Sequence, residues 1–448
     1  MNLLCFDISS GGISAALLNS SLECIRFAES PWNAGTLRAE TVVSEFGQVV
    51  QQLNIAEAVS GLCIGTFMHN CVLLDAVDQP LTPLFTWLDP GGEEGIGFVG
   101  ARIGKRFHER TGCHYHPMFP IFKLASIERS SRTGRIVSIK ALLIHRLTGR
   151  WIEDHGMASA SGLFNINQGD WDRELLGLLG LSRKQLPEIA SRNEIVGQTA
   201  NRFGLPRGIP VINGSGDGFL ASAGSDCETP LRISVTLGTS AAVRQTLPRP
   251  GLDSSSGTFC YQADQGAYLL GCAGSNGGNV LDWGRKIFGT AADAAVSAGV
   301  PTFVPLLHGE RSPDWNSKLT GSWHGLTARH TAADLSRSIL EGVVFNLAHF
   351  VEIVQNTSGE KASDLVLSGN GFLNPLAAPI LAAVAGITVL MPGNPGLASL
   401  RGAGVCALRA LGQPIPSLAA ERVPPLADPA VPGRFGLYRR YRGTEKKE

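Results

Sequence analysis

Asn2-Leu-Leu-Cys-Phe-Asp7-Ile-Ser-Ser-Gly-Gly12-Ile-Ser-Ala-Ala-Leu-Leu18 opens the chain with an apolar run, a hydroxyl and glycine turn, and a second apolar run. The pattern predicts a strand, a tight turn and a returning strand, with Asp7 at the mouth of the turn. The same design returns in Arg232-Ile-Ser-Val-Thr236, Leu237-Gly238-Thr239-Ser240 and Ala241-Ala-Val-Arg-Gln245, where Thr236 stands 229 residues after Asp7, about half of the 448-residue chain. A strand, turn and strand at the head of each half predicts two related α/β domains, residues 1–222 and 223–448, with a cleft between them. A third turn, Val211-Ile-Asn-Gly-Ser-Gly-Asp217-Gly218, ends a strand near the boundary and opens a helix over Phe219–Gly224.

Outward from these turns, helical periodicity marks 37–53, 102–110 and 123–128, and apolar strands fall at 59–65 and 72–74. Residues 372–400 carry no charge, but Pro375, Pro379, Gly386 and Pro392 divide them into a helix (376–385) and a strand (387–391), which suits a soluble core better than a membrane span. Residues 414–432 read as a Pro-rich trailing segment and 439–448 as a solvated tail.

Lys+Arg and Asp+Glu both number 38, so no basic field is available for nucleic acid or an anionic membrane surface. Charged residues at 17% fall below the usual ~25%, and with 44% apolar residues they imply a large interior and exclude general disorder. The nine cysteines lack metal-ligand spacing and read as small core residues in a reducing compartment. With no basic stretch at the start and Asp7 interrupting the first apolar run, no secretory signal is expected and the cytoplasm is the expected location.

Backbone N–H groups in turns of Gly, Ser and Thr form concave anion sites, and two such turns could hold one polyphosphate. A nucleotide would bring Mg2+, and Asp7 is a suitable carboxylate for it, although an Asx-type turn would use the same residue. Asp217, ringed by Gly214, Gly216 and Gly218 at the head of a helix, suits a general base kept ionised by local N–H groups. It would equally serve as a helix N-cap. Met68-His69-Asn70, Trp87-Leu88-Asp89 and His114-Tyr115-His116-Pro117-Met118 carry residue types that bind polyols, and also types that pack. Gly309-Glu310-Arg311-Ser-Pro-Asp314-Trp315-Asn316 could be a salt-bridged turn.

Taken together, FDISSGG, IGTFMHNCVLLDAVDQPLTPLFTWLD, TGCHYHPMFPIFKL, HRLTGRWIEDHGMASASGLFNI, GSGDGF, TLGTS, GERSPDWN, LEGVVFN and SGNGFLNP resemble, in order and over nearly the whole chain, the FGGY family of carbohydrate kinases. The resemblance implies two duplicated ribonuclease-H-like domains of the actin-like ATPase type. It also implies ATP and Mg2+ as cofactors and a carbohydrate as acceptor, with no nucleic acid or membrane partner and a homodimer allowed. Asp7 would hold the metal. Ser9, Ser10 and Gly11 would form the first phosphate motif, and Gly238, Thr239 and Ser240 the second. Gly277, Gly369, Asn370, Gly371 and Asn374 would complete the nucleotide site. Met68, His69, Trp87, Asp89 and His116 would face the sugar, and Asp217 would be the catalytic base.

Within the family the segments are most similar to gluconate kinases, since xylulose kinases usually read QMHG where this chain has Phe67-Met68-His69-Asn70. There are departures. Ser9 stands where the family's first motif has glycine, Pro90 where an arginine usually follows the WLD segment, Asn374 where serine is common and Val384 where aspartate is common. A xylulose- or ribulose-type ketose kinase, an impaired sugar or nucleotide sensor, and an actin- or chaperone-type ATPase acting on protein remain as alternatives.

Overall fold

The computed structural model describes residues 1–32, 37–55, 58–128, 134–289 and 299–443. The opening turn is as read: β1 (Asn2–Ser9) and β2 (Gly12–Asn19) pair antiparallel. Leu3, Leu4, Cys5, Phe6 and Ile8 are all buried, so β1 is covered on both faces and takes the centre of its sheet. With β3 (Cys24–Pro31), β4 (Gly61–Thr66), β5 (Ile195–Gln198) and β6 (Pro210–Gly216) it forms a six-stranded sheet in the order β5-β6-β4-β1-β2-β3.

The second sheet has seven strands: β7 (Arg232–Leu237), β8 (Ala241–Leu247), β9 (Phe259–Asp264), β10 (Ala267–Ala273), β11 (Asp364–Ser368), β12 (Thr388–Pro392) and β13 (Ala420–Arg422), in the order β9-β10-β8-β7-β11-β12-β13. Apart from β9 on its edge, this repeats the first sheet strand for strand. The central strand, β1 or β7, has two successive antiparallel neighbours on one side, and two parallel neighbours with an antiparallel edge strand on the other. The duplication expected from two turns thus extends to whole sheets.

Helices cover both sheets. Val42, Phe46 and Val49 of one helix (Ala39–Gln52) and Leu142 and Leu143 of another (Ile139–Thr148) join Leu4, Phe6, Ile8, Leu62 and Ile64 in one core. The opposite face, Leu3, Cys5, Leu18, Cys63 and Ile212, is closed by Leu400, Ala403, Cys406 and Ala407 of the helix Ala398–Ala410, which comes from the second half of the chain. A 27-residue helix (Ala332–Ser358), capped by Thr331 and Asp334, fills the core of the second half. It is long and apolar enough to cross a membrane, yet 83% of its most apolar window is buried inside the protein. Eight of the nine cysteines are buried, the exception being Cys24, and all nine are free thiols.

Four expectations change. The periodicity at 102–110 belongs to two helices, Glu93–Ile103 and Arg106–Thr111, divided at Gly104. That at 123–128 belongs to a helix that starts earlier, Pro120–Ser126, with proline tolerated in the first turn. The Pro-rich segment is not trailing, because β13 pairs with β12. Finally, 439–442 lie in the helix Val431–Arg442, whose Val431, Phe435 and Tyr438 are buried, and Arg442 pairs with Asp314. Of the expected tail, residues 444–448 lie outside the described residues.

Candidate active site

β6 delivers Asp217. Gly214 there has φ of +66°, and a β-carbon on it would lie 2.0 Å from the Ile64 carbonyl oxygen, so only glycine fits. Below the turn, the buried Lys140 ammonium lies 3.0 Å from Asp154 Oδ1 and 3.2 Å from Glu153 Oε1, and donates to Asn213 Oδ1 at 2.7 Å. Ser215 Oγ donates to Asp154 Oδ2 at 2.5 Å. This buried polar network pins β6 on both sides of Gly214.

The helix begins at Asp217, two residues earlier than expected, with Gly216 in the N-cap position. Asp217 is therefore not the N-cap, though its Oδ1 accepts the Gly218 N–H at 2.7 Å. The sequence reading has local N–H groups keeping this carboxylate ionised. In the structure burial outweighs Arg244, the Gly218 N–H and Arg311, and the Asp217 pKa is raised above its ordinary value.

Asp217 lines a cleft of about 290 Å³ together with Ser9 and Ser10 from the first turn and Gly238, Thr239 and Ser240 from the second. Met68, His69 and Trp87 form part of the same wall. The two turns that head the two halves therefore meet at one cavity. The wall also holds Thr236, Arg244, Phe259 and Tyr261, together with Met118 from the HYHPM stretch and Arg311 and Trp315 from the GERSPDWN stretch. Arg244 was legible only as one polar residue within an apolar strand, and Arg311 only as part of a salt-bridged turn. His69 and Trp315 have φ of +59° and +49°, the left-handed region that non-glycine residues rarely enter, and both line the cleft.

The first turn is tied by its own serine: Ser9 Oγ accepts the Gly11 N–H at 3.1 Å and donates to the Gly12 carbonyl at 3.1 Å. Gly11 itself is not on the cleft wall. In the second turn the carbonyls of Gly238 and Thr239 accept from Gly278 N at 2.8 Å and Asn279 N at 3.0 Å, at the start of the helix Gly278–Phe288. Gly277 packs on this turn so closely that a β-carbon there would lie 2.5 Å from the Ser240 carbonyl carbon. Gly369, at φ of +91°, lies behind the same turn, where a β-carbon would be 2.4 Å from the Leu237 carbonyl oxygen. Asn370 and Gly371 follow in a short 3-10 helix, and Asn374 Oδ1 accepts the Leu376 N–H at 3.0 Å. Gly277, Gly369 and Gly371 back the second turn, and with Asn370 and Asn374 they stand outside the cleft wall.

Asp7 ends its strand beside the first turn. Its Oδ1 is sealed from solvent with no hydrogen-bond partner among the described residues. Burial, then the charge of Asp217, raise its pKa to about 7, against a hydrogen bond from Ser399 that lowers it. An orphaned carboxylate oxygen in this position fits a hard cation that completes its shell with water and phosphate oxygens. Small residues at both turns fit a polyphosphate.

Asp89 turns into its own loop, where it accepts from the backbone and hydroxyl of Thr86, the latter at 3.0 Å. The cation expected after the WLD segment comes from another element. Lys123 of the helix Pro120–Ser126 donates to the Thr86 carbonyl and lies 3.9 Å from Asp89 Oδ2. His116 stands behind the wall, its ring 5.5 Å from that of Trp315. Burial pushes the His69 pKa down to about 3 and that of His116 to about 4, so both are neutral near pH 7. His69 Nδ1 is 2.7 Å from the Ala160 carbonyl oxygen.

The sequence patterns of the N-terminal and C-terminal domains of the FGGY family of carbohydrate kinases match residues 35–224 and 233–411. The chain belongs to this family. Among FGGY relatives, it is 31% identical to a gluconokinase of Bacillus subtilis over 319 residues, 64% of this chain and 62% of that protein. It is 27% identical to a xylulose kinase of Klebsiella pneumoniae over 401 residues, 82% and 81% of the two chains. The chain thus spans less than two thirds of the length of that gluconokinase. In fold it is similar to a xylulose kinase of Lactobacillus acidophilus (TM-score 0.90, 24% identity, 99% and 98% of the chains). A gluconate kinase of the same organism compares equally well (TM-score 0.89, 24% identity, 99% and 97%). The FGGY fold, two duplicated ribonuclease-H-like domains of the actin-like type, agrees with the repeated sheets.

Proposed function

We propose that the protein is an ATP-dependent carbohydrate kinase that transfers a phosphoryl group to a hydroxyl of an open-chain sugar, sugar acid or polyol, with gluconate the preferred candidate. The observation that carries this reading is the convergence of Ser9, Ser10, Gly238, Thr239, Ser240 and Asp217 on one cleft. The two turns would cradle the phosphates from opposite sides, backed by Gly277, Gly369, Asn370, Gly371 and Asn374 around the nucleoside. Met68, His69 and Trp87 would position the acceptor, with Asp89 and His116 supporting that wall. Asp217, its pKa raised by burial, would accept the proton of the attacking hydroxyl.

Phosphoryl transfer needs in-line placement and charge stabilisation more than covalent chemistry. Asp7 would hold Mg2+, which, when bound, neutralises phosphate charge. Closure of the halves 1–222 and 223–448 would exclude water that otherwise competes for the phosphoryl group. A cytoplasmic setting, with the cysteines reduced, belongs to the same reading.

The gluconate assignment is supported by the 31% identity to a gluconokinase. A ketose is the second reading, supported by the longer alignment with a xylulose kinase. A coupled ADP-release assay with Mg-ATP and gluconate, xylulose, ribulose and glycerol decides between them. Acceptor-dependent ADP release that disappears in Asp217→Asn is expected, and ATP turnover indifferent to every acceptor would refute the kinase reading.

A further inference from the structure

Two guanidinium groups on the cleft wall, Arg244 buried and Arg311 half-buried, have no carboxylate in salt-bridge contact among the described residues. Arg244 is 8% exposed and makes one hydrogen bond, from Nη1 to Thr236 Oγ1 at 3.2 Å, while its Nε has no partner among the described residues. It is held flat against the protein: a β-carbon on Gly218 would lie 2.8 Å from Arg244 Nε, so the guanidinium rests on backbone beside Asp217. Arg311 donates to the Gly274 carbonyl at 2.6 Å and stacks on Trp87 with 4.8 Å to the ring centroid, and its Nε is also unpartnered. The neighbouring Glu310 is occupied elsewhere, accepting from Ser275 N, from Arg311's own backbone N–H at 3.1 Å and from Asn346 Nδ2 at 3.1 Å. Neither guanidinium is ion-paired among the described residues.

The charged residues on the cleft wall are therefore Arg244, Arg311 and Asp217. The charge of Asp217 acts on both guanidiniums, and that of Glu310 on Arg311, but on the wall itself two cations stand against one carboxylate. His69 and His116 are neutral near pH 7 and add hydrogen bonds but no charge. A neutral polyol would leave the excess positive charge of the wall unmatched around two desolvated, unpartnered Nε atoms, a costly state. A carboxylate would accept from both, and planar guanidinium is suited to it.

We propose that Arg244 and Arg311 form an anion site in the cleft that takes the carboxylate of the acceptor, selecting a sugar acid over the neutral molecule of the same length. This rests on the kinase reading and adds to it the charge of the acceptor and the residues that select it. The competing use of the same two cations is the phosphoryl group in transfer, which every acceptor would share.

The test uses the full chain with Mg-ATP and two acceptors that differ only at the carboxyl carbon, gluconate and gluconamide. The wild type is expected to favour gluconate in kcat/KM by at least about 10-fold. Arg244→Gln and Arg311→Gln should each reduce that ratio by about 10- to 100-fold, chiefly through KM for the acid, with part restored in the lysine variants. Thermal shifts with each compound, without nucleotide, read binding separately from turnover. A gluconate shift that is lost in the glutamine variants upholds the anion site even where no ADP is released, and then the kinase reading alone falls. Equal losses for both acceptors assign the arginines to the phosphoryl group and overturn the proposal. So does a wild type that does not distinguish acid from amide.

Discussion

The charge of Asp217 acts on Asp7: after burial, it is the main reason the Asp7 carboxyl titrates near pH 7. The folded protein therefore holds a proton on Asp7 that the unfolded chain releases near its ordinary value of 3.8. Between about pH 4 and pH 7 the folded state binds more protons, so this group's contribution to stability is fully present below pH 4 and is lost as pH rises to 7. Metal-free Asp7→Asn should gain on wild type over that window, by on the order of 2–4 kcal/mol at pH 7.5 relative to pH 4.5. Urea denaturation of both proteins at the two pH values checks it. Mg2+ should stabilise the wild type more at pH 8 than at pH 6, and equal effects would rule out Asp7 as its ligand.

Asp217→Asn keeps an oxygen to accept the Gly218 N–H but cannot take up a proton. Turnover should fall by about 10²–10⁴-fold while the thermal unfolding temperature is maintained. Retention of more than a tenth of the wild-type kcat would remove Asp217 from the chemistry.

In the first turn Ser9 Oγ engages the Gly11 N–H, a donor that a phosphate oxygen would otherwise meet. Ser9→Gly should lower KM for ATP by about 2- to 10-fold, the worth of one hydrogen bond. An unchanged or raised KM would show that the serine is itself a phosphate ligand.

Lys140 neutralises two buried carboxylates, Glu153 and Asp154, beneath the turn that carries Asp217. Lys140→Met leaves both uncompensated and should destabilise the protein by about 3–5 kcal/mol. Denaturant unfolding measures this directly, and a loss under 1 kcal/mol would show that the carboxylates can take up protons at little cost.

The two strand–turn–strand units were legible because a central strand buried on both faces is a continuous apolar run, and a phosphate-sized turn needs small residues. Hence Ser9, Ser10, Gly238, Thr239, Ser240 and Asp217 stand out in the sequence, and the structure gathers them in one cleft. Arg244 and Arg311 were not legible, because whether an arginine on a strand or loop meets solvent or a cavity depends on packing between segments distant in sequence. Lys123 shows the same limit, since it reaches the Asp89 loop from another helix. The terminal helix did leave a signal: Val431, Phe435 and Tyr438 are spaced i, i+4 and i+7. Its arginines and the prolines before it masked that spacing, which is why the segment reads as a tail.

The helix Ala398–Ala410 closes one face of a sheet whose first strand begins at Asn2. During synthesis the N-terminal strands leave the ribosome with Leu3, Cys5, Leu18 and Cys63 covered on that side only in part, by Leu220, until the helix Ala398–Ala410 has been translated. A product arrested at residue 222 would leave much of that greasy sheet surface open to chaperones and neighbouring chains.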